Sequence, residues 1–127
     1  RRSWGLGGPG RRIHPAGGGG QMEGAMGRGV GWARTERTVY DDKGKMLNPA
    51  LRNYHIPAFA DAPRSEIFFA DTYDTIGPLG ANAQGECAIN PVAPAIANAL
   101  KNATGVRFAH LPLTPDRIFD RLAPVSA

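Results

Sequence analysis

The sequence predicts an α+β fold, and three observations predict it. A helix-spaced apolar stripe starts at Gln21, short apolar runs between turn residues lie from Thr38 to Asp71, and two helical segments with recognisable ends follow residue 90. At 127 residues the chain fits one domain with a modest core. Residues 1–20, "RRSWGLGGPGRRIHPAGGGG", hold eight glycines, two prolines and little to bury, so a flexible segment or junction is expected there.

From Gln21 to Arg37, Met22, Ala25, Met26, Val30 and Ala33 fall at i, i+3, i+4 spacing, which predicts a helix face. Gly24, Gly27, Gly29 and Gly31 interrupt it, and each costs about 1 kcal/mol against alanine in a helix interior. Gly24, Gly27 and Gly31 share one face, an arrangement that suits close approach by a neighbouring element or by a bound group.

"RTVYDDKGKMLN" reads as a β-hairpin turning at Asp41–Gly44, and the pairing of strands is expected to be hairpin-like throughout. Pro57 and Pro63 in "YHIPAFADAP" favour an extended path, and "EIFFAD", 66–71, reads as a strand. Residues 74–90 form a long loop of small residues, of the kind usually kept for function. The following helix turns Ile96, Ala99, Leu100 and Ala103 to one face, starts at Pro91 or Pro94 and ends at Gly105. "VRFAHLPL" is an extended connection. A last short helix has Thr114 as N-cap, Pro115 at its first position, and Ile118, Phe119 and Leu122 turned inward.

The net charge of +4 is no nucleic-acid signal. Arg1, Arg2, Arg11 and Arg12 carry all of it, while residues 21–127 hold 11 basic and 11 acidic side chains, with no basic stripe among aromatics. One cysteine excludes an internal disulfide and a paired-cysteine zinc site, and His14, His55 and His110 have no metal-binding spacing. No apolar run approaches the roughly 18 residues of a membrane span.

Three residues are candidates for chemistry. Glu86, after Gly85 in a loop of small residues, is placed to serve as a general base, against the ordinary reading of a surface glutamate favoured by a helix dipole. Cys87 could act as a nucleophile near a helix start, but no histidine is local to it and it reads as a small packing residue. Gln21 opens the glycine-faced helix, where its amide can both donate and accept.

Four blocks in order, "GQMEGAMGRGVGW", "VYDDKGKMLNPALRNYHIPAFADAP", "GANAQGECAINPVAPAIANALKNATGVRF" and "LPLTPDRI", resemble the C-terminal end of the molybdenum-binding subunit of the xanthine dehydrogenase and aldehyde oxidase family. The resemblance covers Gln21 to Leu122, and "GRRIHPAG" before it resembles the family's strand and turn leading into the glutamine. It implies that 21–127 is the C-terminal part of the second molybdopterin-binding domain of a larger subunit. It further implies that Glu86 is the catalytic base and that Gln21 and Gly85 bind the cofactor, with no protein ligand to the metal assigned. The implied reaction hydroxylates an aldehyde or N-heteroaromatic carbon with water: the glutamate deprotonates a molybdenum-bound hydroxyl, the oxygen attacks carbon, and hydride passes to a sulfido ligand. The implied cofactor is molybdopterin with molybdenum, the cytosine dinucleotide form included, with 2Fe-2S and FAD on partner domains or subunits. The partners implied are the rest of the subunit, iron–sulfur and flavin subunits, and a small aldehyde or heteroaromatic substrate, in the cytoplasm or the periplasm. Asn82 and Gln84 depart from the family, where many relatives have lysine and an aliphatic residue. The rival readings are a cofactor-less interaction domain and a cysteine hydrolase built on Cys87.

Overall fold

The computed structural model describes residues 2–123. In chain order they form β1 (Arg2–Gly7), α1 (Pro15–Arg34), β2 (Arg64–Phe69), α2 (Val92–Thr104) and α3 (Pro115–Leu122), with 3-10 turns at Phe59–Asp61, Pro78–Gly80 and Glu86–Ile89. The α+β class is as expected, but the strand pairing is not hairpin-like. β1 and β2 run parallel, in register from Arg2 opposite Arg64 to Gly7 opposite Phe69, joined by a crossover that contains α1.

The expectation of a flexible segment over 1–20 is corrected. Arg2–Gly7 is a strand and α1 starts at Pro15, six residues before the expected Gln21. The glycines that suggested flexibility in β1 meet a packing requirement instead. A Cβ on Gly5 would come 2.9 Å from Met26 Sδ, and one on Gly7 3.3 Å from Met22 Sδ, so a side chain at either position would crowd the methionines of α1 that lie over the strand. Pro15 occupies the first turn of α1, and the His14 ring caps it, Nδ1 accepting from the Gly17 N–H at 2.7 Å.

Met22, Ala25, Met26, Gly29, Val30 and Ala33 bury one side of α1. Met22 and Ala25 pack with Ala88, Ile67, Phe69 and Ile89, while Met26 and Val30 pack with Val92, Ile67 and Ile96. The glycine that brings α1 against α2 is Gly29, since a Cβ there would meet Val92 Cβ at 2.6 Å. Of the three glycines expected to permit close approach, Gly31 faces Pro57, and Gly24 and Gly27 face open space.

The expected hairpin is reduced to one antiparallel bridge between Tyr40 and Met46. Its turn is held by Asp41, whose Oδ1 accepts from the N–H groups of Lys43 (2.9 Å) and Lys45 (2.8 Å), and by Gly44 at φ 77°. β2 lies two residues earlier than the strand expected at 66–71. α2 ends as expected at Gly105, φ 77°, whose N–H reaches Lys101 O at 2.7 Å. Of its expected inner face, Ile96 and Leu100 are half-buried but Ala99 and Ala103 are exposed, because α2 meets α1 mainly through its first turns, at Val92 and Ile96.

Thr114 and Pro115 open α3 as expected, yet Phe119 and Leu122 are exposed instead of turned inward, at 71% and 41%. The chain before α3 is anchored by buried Leu113, whose N–H donates to Ala33 O, while α3 itself leaves an open apolar groove of Leu113, Ile118, Phe119 and Leu122 beside Arg34. A second apolar face is open on the sheet, where Trp4, Leu6 and Phe68 point away from α1. No helix among the described residues is long and apolar enough to cross a membrane.

Two measurements check this packing. Gly29→Leu is expected to destabilise the chain by about 1–3 kcal/mol through overpacking on Val92, whereas Gly24→Ala, in open space, raises stability by up to about 1 kcal/mol; urea midpoints distinguish them. The Asp61 carboxyl titrates below its ordinary 3.8, chiefly because it accepts the Ala58 N–H at 2.9 Å; desolvation opposes this, and interaction with His55 and, less, Arg34 adds to the lowering. A depressed folded-state value means that its contribution is present above the unfolded value and is lost as pH falls through the folded one. A carbon-detected NMR titration is expected to place Asp61 below its ordinary 3.8, and Asp61→Asn to remove that acid-side loss.

Candidate functional site

The loop from Asn82 to Ile89 is pinned to the helical layer by Ala88, which is buried against Met22 and Ala25 of α1. Burying Ala88 leaves Glu86, two residues earlier at the start of the 3-10 turn, directed outward, with its side chain 72% exposed. Its carboxylate pairs with Arg28 of α1, Oε1 to Nη1, and the Arg28 guanidinium lies 5.7 Å from the centre of the Trp32 ring. Gly85, just before it, is exposed and has open space where a Cβ would sit.

Gln21 is exposed on α1, seven residues before Arg28. At 3.6 residues per turn that spacing puts the two side chains on one side of the helix, about 10 Å apart along its axis. The structure therefore brings Gln21 and the Arg28–Glu86 pair to one side of α1. Gly20, Gly24 and Gly27 lie along the adjacent strip opposite the buried stripe, with open space at each. The result is a stretch of bare helix backbone bordered by an amide at one end and an ion pair at the other.

Gln84 lies beside the first turns of α1, toward β1. A Cβ on Gly7 would meet its Nε2 at 3.1 Å, and one on Gly18 its Oε1 at 3.2 Å, so the amide is wedged between β1 and the first turns of α1. Its Nε2 is buried without a hydrogen-bond partner, a donor left for something the chain itself does not supply.

Cys87 corrects the expectation of a packing residue: it is exposed, and the neighbouring Ala88 takes the buried position. In a tight 3-10 turn adjacent side chains diverge, so only one of the pair can face α1. Arg28 is the site residue that the sequence reading missed. Its i+7 spacing from Gln21 was visible, but nothing in the sequence joined it to Glu86, 58 positions away. Cys87 is expected to react with iodoacetamide in the folded chain at neutral pH, without denaturant; mass spectrometry of the modified peptide reads this directly.

Residues 1–63 match the family described as the molybdopterin cofactor-binding domain. The chain is 43% identical over 102 residues to the xanthine dehydrogenase molybdenum-binding subunit of Escherichia coli O157:H7, covering 80% of this chain and 14% of that protein. It is 39% identical over 118 residues to the aldehyde oxidoreductase molybdenum-binding subunit PaoC of Escherichia coli strain K12, covering 91% of this chain and 16% of that one. Its fold superposes on quinoline 2-oxidoreductase from Pseudomonas putida 86 with a TM-score of 0.84 at 27% identity, covering 95% of this chain and 16% of that one. The chain thus spans about one-sixth or less of the proteins it matches. With the family match over residues 1–63, the shared fold and these identities, the chain belongs to the molybdopterin cofactor-binding domain family, and it is similar to part of the molybdenum-binding subunits of the xanthine dehydrogenase and aldehyde oxidoreductase type.

Proposed function

We propose that this chain supplies one wall and the general base of a molybdenum hydroxylase site, completed by the remainder of a larger subunit. The observation that carries the proposal is the exposed Glu86 carboxylate, set on the same side of α1 as Gln21 and beside a glycine strip without side chains. The residues present fit a pterin cofactor. The open positions at Gly20, Gly24, Gly27 and Gly85 admit a flat group to backbone distance, and the unpartnered Gln84 amide is a donor left to offer.

In this reading Gln21 and Gly85 hold the cofactor, Gln21 through its amide and Gly85 by allowing close approach. Gln84, which departs from the aliphatic residue of many relatives, adds a hydrogen-bond donor between β1 and the first turns of α1. The bound cofactor supplies the two-electron redox chemistry that hydroxylation of an aldehyde or N-heteroaromatic carbon requires. Glu86 accepts the proton from the water-derived nucleophile at a carboxylate oxygen, so it must be ionised when substrate arrives. The cytosine dinucleotide form of the cofactor, 2Fe-2S and FAD on partner domains or subunits, and a small aldehyde or heteroaromatic substrate belong to the same proposal.

The open apolar faces support the larger assembly. Parallel strands are ordinarily covered on both sides, and here Trp4, Leu6 and Phe68 are uncovered, as are Phe119 and Leu122 on α3. The same exposure favours a second reading, a cofactor-less interaction domain; co-purification with a molybdenum-containing partner counts against it. In the assembled, cofactor-loaded enzyme, Glu86→Gln is expected to lower turnover of aldehydes or purines by about 10²–10⁴-fold with molybdenum content unchanged. Full turnover in that variant discards the base.

A further inference from the structure

We propose that Arg28 is a positioning residue for Glu86, holding the carboxylate ionised and turned toward the open strip of α1, with Trp32 as the platform that fixes the guanidinium. The proposal rests on the base role given to Glu86 above.

The geometry has three parts. Glu86 stands at the first position of its turn after Gly85, which has no Cβ and no neighbours at that point, so the local backbone does little to fix the side chain. Among the described residues its one side-chain hydrogen bond is to Arg28. Arg28 is in turn placed by α1, on the same side as Gln21, and its guanidinium lies over Trp32, one turn further along the helix. A planar cation stacked on an indole loses less freedom when it pairs than a free lysine would.

The charges around the pair are few. α1 carries Glu23, Arg28 and Arg34 as its only ionised side chains, and α2, the other helix packed on the turn, carries only Lys101, nine residues beyond Val92 and about 13 Å along its axis. Arg28 is thus the cation that acts on Glu86 at short range, with Cys87 the adjoining titratable group. A cation beside a carboxylate favours its ionised form, and ionised is the form in which a base can take a proton. Because the base works deprotonated, removing the cation moves the acid limb of the pH–rate profile to higher pH.

The experiment has two arms. In the full chain labelled with 13C at glutamate carboxyls, the Glu86 midpoint is compared between the parent and its Arg28 and Trp32 variants. Arg28→Met raises it by about 0.2–0.7 pH units, the size expected for a partly exposed pair. Arg28→Lys restores part of that shift, and Trp32→Leu, which keeps the guanidinium, moves the midpoint the same way by less. A Glu86 midpoint unchanged in Arg28→Met overturns the proposal. In the assembled enzyme the acid limb of kcat/KM is expected to move up with the midpoint in Arg28→Met, and an acid limb that stays put also overturns it. If Glu86→Gln keeps full activity while the Arg28 shift is present, it is the base reading that fails and the pairing that stands. If Glu86→Gln is inactive and no Arg28 shift is seen, Arg28 alone loses its role.

Discussion

The apolar stripe of α1 is the constraint on which the rest of the structure depends. β1, β2, α2 and the Glu86–Ile89 turn all pack against it, through Met22, Ala25, Met26, Gly29 and Val30. The helix itself is a poor one by propensity, with eight glycines in 20 residues. Its stability has to come from burial, so the stripe cannot be weakened without loosening every element that meets it. The glycines divide accordingly: Gly29 and Gly31 admit neighbours, while Gly20, Gly24 and Gly27 leave bare backbone on the far side.

That division ties packing to function. A helix held firmly along one side can present an opposite side stripped of side chains, and the loop carrying Glu86 is anchored to the same helix through Ala88. The residues proposed to bind and to accept a proton are therefore referenced to one rigid element, not to separate loops. Arg28 makes the reference closer, since it belongs to α1 and touches Glu86 directly. The open faces at Trp4, Leu6, Phe68 and Phe119 give the layer apolar surface to set against further protein.

Much of this was legible in the sequence where a signal was local. The stripe from Met22 to Ala33, the Gly105 stop and the Thr114-Pro115 start follow from 3.6-residue spacing and from cap chemistry that neighbouring residues settle among themselves. What failed was non-local. Glycines at 5 and 7 look like flexibility until Met22 and Met26 are brought over them, and parallel pairing of β1 with β2 joins residues 62 positions apart. Phe119 and Leu122 read as core because an amphipathic helix implies a covering surface, and within these residues that surface is missing. At the candidate site, Glu86 and Gln21 stood out from their local setting and took their proposed roles, with Gly85, from family resemblance, whereas the exposure of Cys87 and the contact of Arg28 with Glu86 depend on the fold.

The central claim is that one side of α1 and the Glu86 loop together form a wall against a bound cofactor. Hydrogen–deuterium exchange on the assembled subunit, with and without its molybdenum cofactor, tests it most directly. The account predicts that peptides covering 17–27 and 82–87 slow together when the cofactor binds. Protection confined to peptides from β1, β2 or α3, with 17–27 and 82–87 unchanged, contradicts it.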